Sequence, residues 1–137
     1  MGNIERTLAI IKPDALDNFH DIVNMILDLG LVVDYCELRM LDDNIIREHY
    51  AHVLEQDFFP RLSEFMKSGP VAVMVFKGED AVNKLRNLMG PTDSRLAPEG
   101  TIRAMYGTDK TINAIHGSDS LENAEIEIKR FVKAMVR

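Results

Sequence analysis

The chain has 137 residues, 46% of them hydrophobic, with a net charge of -6 and one cysteine. Such a length holds one domain with a sizeable core and is short for two, so residues 1–137 are expected to form a single domain. The acidic balance argues against binding along a nucleic-acid backbone, though not against a single nucleotide met by converging cations. No apolar run approaches the roughly 20 residues of a membrane helix. The first residues show neither a secretory start nor a myristoylation pattern, since Arg6 stands where Ser or Thr is needed. Cys36 alone makes no internal disulfide and belongs to no CxxC motif, a usage expected in a reducing cytoplasm.

In chain order, Leu8–Ile11 is a continuous apolar run stopped by Lys12-Pro13, as expected of a buried strand. Phe19, Ile22, Val23, Ile26 and Leu29 then recur at helical spacing up to Gly30, a C-terminal stop. Leu31–Met40, with Val32, Val33 and Tyr35, reads as a second strand. Asp42–Leu54 reads as a helix with Ile46, His49, Tyr50 and Val53 on one side, and Pro60–Met66 as a shorter one. Val71–Phe76 is an unbroken apolar strand after Gly69-Pro70. Helical period returns over Asp80–Met89 through Val82, Leu85 and Met89, and a Gly/Pro/Asp-rich loop covers Gly90–Gly100. Ile112–Ile115 is a candidate last strand. The last helix is expected to start at Asp119 or Ser120, with Asp119 and Glu122 at the spacing of a capping box and Ala124, Ile128, Phe131 and Met135 as its apolar stripe. Four strands and about five helices in alternation define an α/β or α+β sandwich. Periodicity leaves a parallel sheet and a ferredoxin-like antiparallel one both open.

Neither a GxxxxGK[ST] loop nor a GxGxxG turn occurs, so any phosphate must be met by side-chain cations. The candidates are Lys12 at the end of the first strand, Arg86 in the fourth helix and Arg103 after the loop, with the Thr92 hydroxyl as a further donor. A single Lys or Arg is ordinarily a solvated surface charge, but Lys12 abuts a buried strand. His116 follows a strand and precedes Gly117, Ser118 and Asp119, a strand end opening onto a helix, where a reactive side chain is held rigidly; Gly117 there admits torsions that other residues resist. Local sequence leaves a structural and a catalytic histidine both open. His20, His49 and His52 lack this setting and read as ordinary exposed or partly buried residues. Glu127 falls between Ala124 and Phe131 on the inward side of the last helix, where a carboxylate is costly without a donor. It is either a salt-bridge or snorkelling position, or a partner that orients His116 or Ser118.

Taken together these segments resemble the nucleoside diphosphate kinase family. Asn113-Ala-Ile-His116-Gly117-Ser118-Asp119-Ser120 is similar to its histidine signature and Glu5–Asp14 to its opening strand. Glu48-His-Tyr50, Phe58-Phe59, Ser68-Gly-Pro70, Gly90 with Thr92, and Gly100-Thr-Ile-Arg103 follow in order. The resemblance implies an α+β, ferredoxin-like four-stranded antiparallel sheet covered by helices, with an inserted helical hairpin over about Asp42–Met66. It implies a kinase that carries the terminal phosphoryl group from a nucleoside triphosphate to a diphosphate through a phosphohistidine at His116. Lys12, Tyr50, Arg86, Thr92, Arg103 and Asn113 would surround the phosphates and sugar. Phe58 and Leu62 would clamp the base, and Ser118 and Glu127 would support the histidine. Stacking on Phe58 implies broad base tolerance. Mg²⁺ is expected to arrive with the nucleotide, since no multi-carboxylate cage is visible. A homo-oligomer built from dimers, tetrameric or hexameric, is expected, with no membrane and no specific nucleic-acid partner. Two other readings are a phosphocarrier acting on proteins, which needs no clamp of Phe58, Leu62 and Tyr50, and a non-catalytic nucleotide-binding domain, which needs no set of Lys12, Arg86, Arg103, Asn113 and His116.

Overall fold

A computed structural model describes residues 3–132. Strand β1 (Ile4–Ile11) runs through the middle of the molecule, buried from Thr7 onward. Pro13 then turns the chain into a 3-10 segment, Pro13–Asn18, that leads into α1 (Phe19–Leu27). Gly30, at φ +89, ends that turn and releases β2 (Val32–Arg39). Next come α2 (Asp43–His49), a 3-10 turn at Ala51–Val53, and α3 (Phe59–Lys67). After them come β3 (Val71–Glu79), α4 (Ala81–Met89), α5 (Ile102–Tyr106), β4 (Ile115–Gly117) and α6 (Leu121–Phe131).

The sheet order is β2-β3-β1-β4, and every pairing is antiparallel. The order and directions are those of a ferredoxin-like α+β fold, which resolves the choice that periodicity left open. Strand alternation sends successive side chains to opposite faces. Ala9, Ile11, Ala72, Met74 and Phe76 face α1 and α4 through Ile22, Ile26, Leu85 and Met89. Leu8, Ile10, Val71, Val73 and Val75 face α2, α3 and α6 through Ile46, Phe59, Leu62, Met66, Ile128 and Phe131. Both faces of the two central strands are therefore covered, which explains why they read as unbroken apolar runs. Truncating a fully buried side chain such as Phe76 is expected to cost about 3–5 kcal/mol.

Several boundaries differ from those expected, each for a local reason. The helix expected over Asp42–Leu54 starts with the Asp42 side chain accepting from the Ile45 N–H, but ends at His49. Beyond it Val53 N–H bonds back only three residues, to Tyr50 O, and the chain tightens into 3-10 form. The expected strand Ile112–Ile115 begins only at Ile115, because Ala114 adopts φ +75, a left-handed conformation without a ladder partner. There its N–H bonds Asp14 Oδ2 and its carbonyl accepts from Lys12 N–H. Helix α5 and the 3-10 turn Ser94–Leu96 are too short for a period to show; Thr101 caps α5 by accepting from the Ala104 N–H. At α6 the cap is Ser120, accepting from Asn123 N–H, while Asp119 bonds the Asn123 side chain. No Asp119–Glu122 box forms. Met135, the last expected stripe position, lies outside the described residues. No described helix is long and apolar enough to cross a membrane.

Candidate active site

A cleft of about 1080 Å³ opens where the C-terminal end of β1, the start of β4 and the loop after α4 meet the α2–α3 hairpin. Lys12, Tyr50, Phe58, Leu62, Arg86, Thr92, Arg103, Asn113, His116 and Glu127 all line it. Of the candidates named from sequence, only Ser118 does not, being fully buried behind His116 and Glu127.

The floor is cationic. Lys12 is nearly buried, and its Nζ donates to Asn113 Oδ1 at 2.8 Å. Burial is the main force pushing the lysine pKa down to about 7; the Arg103 charge adds to this and Asp14 opposes it. Asn113 in turn donates from Nδ2 to the carbonyls of Thr92 and Lys110, each at 3.0 Å, and so ties the loop to the strand. Arg103 donates to Gly90 O at 3.0 Å and Ile115 O at 2.8 Å, and burial, with Arg86 nearby, lowers it to about 10. Gly90 has φ +86, and a Cβ there would press on the Thr101 side chain, so glycine is what lets the carbonyl turn to Arg103. Arg86 reaches across from α4 to Asp119 O at 2.9 Å. Lys12 and Arg103, both lowered chiefly by burial, give this floor positive charge that an anion would offset.

The wall carries His116. Its Nε2 lies 3.1 Å from Glu127 Oε1, and Ser118 Oγ donates to the same oxygen at 2.5 Å. Ser118 is itself fixed to β1, its N–H bonding Leu8 O and its Oγ accepting from Leu8 N–H. Burial works to raise the Glu127 pKa, but the hydrogen bonds from His116 and Ser118, with the charges around them, outweigh it and hold the carboxyl below the ordinary range. An ionised carboxylate only accepts, so in the neutral ring of His116 the proton sits on Nε2 and the free lone pair on Nδ1. Gly117 is needed for a reason other than the torsional freedom expected. Its φ is not positive, and a Cβ would collide with Met89 Sδ where β4 packs on α4.

The mouth is formed by Phe58, half exposed at the start of α3, with Leu62 buried one turn on. The Tyr50 hydroxyl is buried without a hydrogen-bond partner among the described residues, and burial, followed by the Glu127 charge, raises its pKa. Thr92 is exposed on the loop. The Arg61–Asp109 ion pair, at 2.9 Å, and Lys110 complete this end.

Sequence reasoning passed over His49, Arg130, Arg61 and Asp109, all in the lining. His49 is not an ordinary exposed or partly buried residue: it is 7% exposed, with its ring 4.5 Å from that of His116. The signal was its place beside Ile46 on the apolar side of α2. Arg130 and Asp109 gave none, because their partners are distant in sequence.

A ferredoxin-like sheet carrying a cationic cleft beside a rigidly held imidazole is the frame of an α+β phosphotransferase. The nucleoside diphosphate kinase profile matches residues 5–136, and the chain belongs to the nucleoside diphosphate kinase family. A nucleoside diphosphate kinase of Helicobacter pylori strain P12 is 50% identical over 131 residues, 93% of this chain and 94% of that protein. One from Chlamydia muridarum is 45% identical over 130 residues, 93% and 92% of the two chains. The structure of a halophilic nucleoside diphosphate kinase from Halobacterium salinarum in complex with CDP superposes with a TM-score of 0.92 at 39% identity, covering 97% of this chain and 90% of that one. The chain is thus an enzyme that moves phosphoryl groups between nucleotides.

Proposed function

We propose that this kinase works in two half-reactions through His116. Nδ1 attacks the terminal phosphorus of a nucleoside triphosphate; the P–N bond forms as the bond to the bridging oxygen breaks, and the diphosphate leaves with that electron pair. A second diphosphate then attacks the phosphohistidine through its terminal oxygen, the P–N bond breaks, and Nδ1 recovers its lone pair. The observation that carries this reading is the Nε2 contact with Glu127, which in the neutral ring leaves Nδ1 free to attack in the cleft that Lys12 and Arg103 also line.

Lys12, Arg86 and Arg103 neutralise charge on the moving phosphoryl group, while Tyr50, Thr92 and Asn113 hold phosphates and sugar. Phe58 and Leu62 take the base by stacking, which needs only a π-face, so purine and pyrimidine nucleotides are all accepted. Glu127 and Ser118 keep the imidazole in one tautomer. The enzyme's divalent ion is Mg²⁺. The carboxylates lining the cleft are engaged, Glu127 by Ser118 and His116, Asp109 by Arg61 and Asp119 by Asn123, so the residues fit an ion held by nucleotide phosphates and water. Bound there, Mg²⁺ would supply further charge neutralisation.

Residues 1–137 act as one domain in the cytoplasm, as a homo-oligomer built from dimers, tetrameric or hexameric. The edge strand β2, exposing Val32, Val33 and Leu38, supports this assembly, and a solution mass measurement tests it. For the chemistry, incubation with Mg-ATP is expected to label His116 with an acid-labile, base-stable phosphate. His116→Ala should abolish the label in a folded protein. Label on Ser118 or Thr92 instead would sink the mechanism.

A further inference from the structure

Glu127 holds His116 at one point only, Nε2. In an imidazole that atom lies close to the Cβ–Cγ axis, so turning the ring about this bond barely stretches the hydrogen bond. Nδ1 lies farther from the axis and sweeps a wider arc. A nucleophile that must meet phosphorus in line therefore needs a second restraint, on the plane of its ring.

His49 is placed to provide it. The two imidazoles meet edge to face, with centroids 4.5 Å apart and planes at 86°. His49 is itself boxed by Tyr50 at 4.7 Å and Phe131 at 5.0 Å, both also near-perpendicular. Rotation of the His116 ring would press into this box or open a gap against it. The box alone does not set the direction of the His49 ring, but Arg130 does. Its Nη1 lies 2.9 Å from His49 Nδ1. A guanidinium donates and never accepts, so Nδ1 is the acceptor and the proton of the neutral ring sits on Nε2. Burial first, then the charges of Arg130 and Lys12, push the His49 pKa down to about 2 and keep that ring neutral.

We infer that Arg130 and His49 are positioning residues for the nucleophile: the guanidinium fixes the tautomer and direction of the His49 ring, and that ring holds the plane of His116. In this role both act through the His116 ring and not on the phosphoryl group. The inference rests on attack by His116 Nδ1, as proposed above.

The experiment combines three single variants and one double variant with a spectroscopic measurement. Arg130→Met keeps the aliphatic stem and removes the donor. It is expected to slow single-turnover phosphorylation of His116 by Mg-ATP about tenfold, with nucleotide affinity changed less than about twofold. Arg130→Lys restores a donor and should recover most of the rate. His49→Asn keeps an acceptor near the Nδ1 position but removes the ring, and adding Arg130→Met to it should cost nothing further, the non-additivity of two residues acting in series. Nitrogen NMR should show His49 in one tautomer in the wild type, protonated at Nε2, and in a mixture in Arg130→Met. A wild-type rate in Arg130→Met, a loss confined to nucleotide affinity, or additive losses in the double variant would each overturn the relay. A wild-type label on a residue other than His116 overturns the phosphohistidine reading itself; the tautomer measurement stands apart from that result.

Discussion

Glu127 Oε1 lies 3.1 Å from His116 Nε2, reaching across from the second turn of α6 to the strand β4. The same oxygen accepts from Ser118, so the carboxylate is fixed before any substrate arrives. Replacing it with Gln keeps an acceptor but removes the charge, and Ala removes both. Each change is expected to slow His116 phosphorylation, Ala more than Gln, with nucleotide affinity changed less, because the lost interaction is with His116 and, under the proposed mechanism, not with the ligand. Wild-type phosphorylation by a folded but less stable Glu127→Ala would reduce the residue to a structural one.

Lys12 gives a pH dependence with a definite sign. In the free protein its pKa is lowered to about 7, chiefly by burial, so it loses its proton as pH rises through neutrality. A bound triphosphate favours the charged form. Nucleotide affinity is therefore expected to weaken above about pH 7, and binding at about pH 8 to take up a proton. Calorimetry in buffers of different ionisation enthalpy reads that uptake directly. Lys12→Ala should abolish it and lower turnover by about an order of magnitude or more. The exposed Lys77 offers a control whose alanine variant should be unaffected. An unchanged proton balance in Lys12→Ala would assign the uptake to another group.

Much of this arrangement was legible in the residues themselves. Leu8–Ile11 and Val71–Phe76 announced the two central strands because both their faces are buried, and His116 with its Gly-Ser-Asp sequel announced a strand end. Glu127 stood out as a carboxylate on an apolar stripe. What stayed hidden depends on contacts between distant residues. Ala114 at φ +75 is held by Asp14, 100 positions away, and that contact moves the start of β4. Arg130 meets His49 across 81 positions, a pairing that no period encodes. Five-residue α5 is set by its Thr101 cap and not by an apolar repeat.

Phe58 bears on substrate range. It sits at the mouth with nearly half its surface exposed, offering a face to stack on. Purine and pyrimidine diphosphates, with ribose or deoxyribose, are expected to accept phosphate with rate constants within about 100-fold of one another, or roughly 2.7 kcal/mol. Phe58→Ala should raise KM for all of them together, by about 1–3 kcal/mol of lost stacking. A strict preference for one base would show that Arg61, Asp109 or Lys110 at the same end reads its edge.

His49, beside His116, also bears on how the fold responds to acid. His49 has a folded-state pKa of about 2 against an ordinary 6.5, lowered first by burial. Between those values the unfolded chain binds a proton at this residue and the folded one does not. Stability therefore rises with pH across the interval and is lost progressively as pH falls below about 6.5, with a slope approaching 1.4 kcal/mol per pH unit from this group alone. Carboxylates such as Asp109, lowered to about 2 from 3.8, act in the same direction, but only at lower pH. Carboxylates such as Glu127, lowered, and Asp14, raised by burial, contribute to both proteins, so the difference in slope between wild type and His49→Gln from about pH 6 to 4.5 isolates the histidine. His49→Gln is expected to flatten the dependence of unfolding free energy on pH in that window, whatever it does to stability at neutrality, because glutamine has no proton to gain. Denaturant titrations of both proteins at several pH values give the two slopes. Parallel slopes would mean that His49 takes up its proton in the folded state, with Arg130 turning away to leave Nδ1 free.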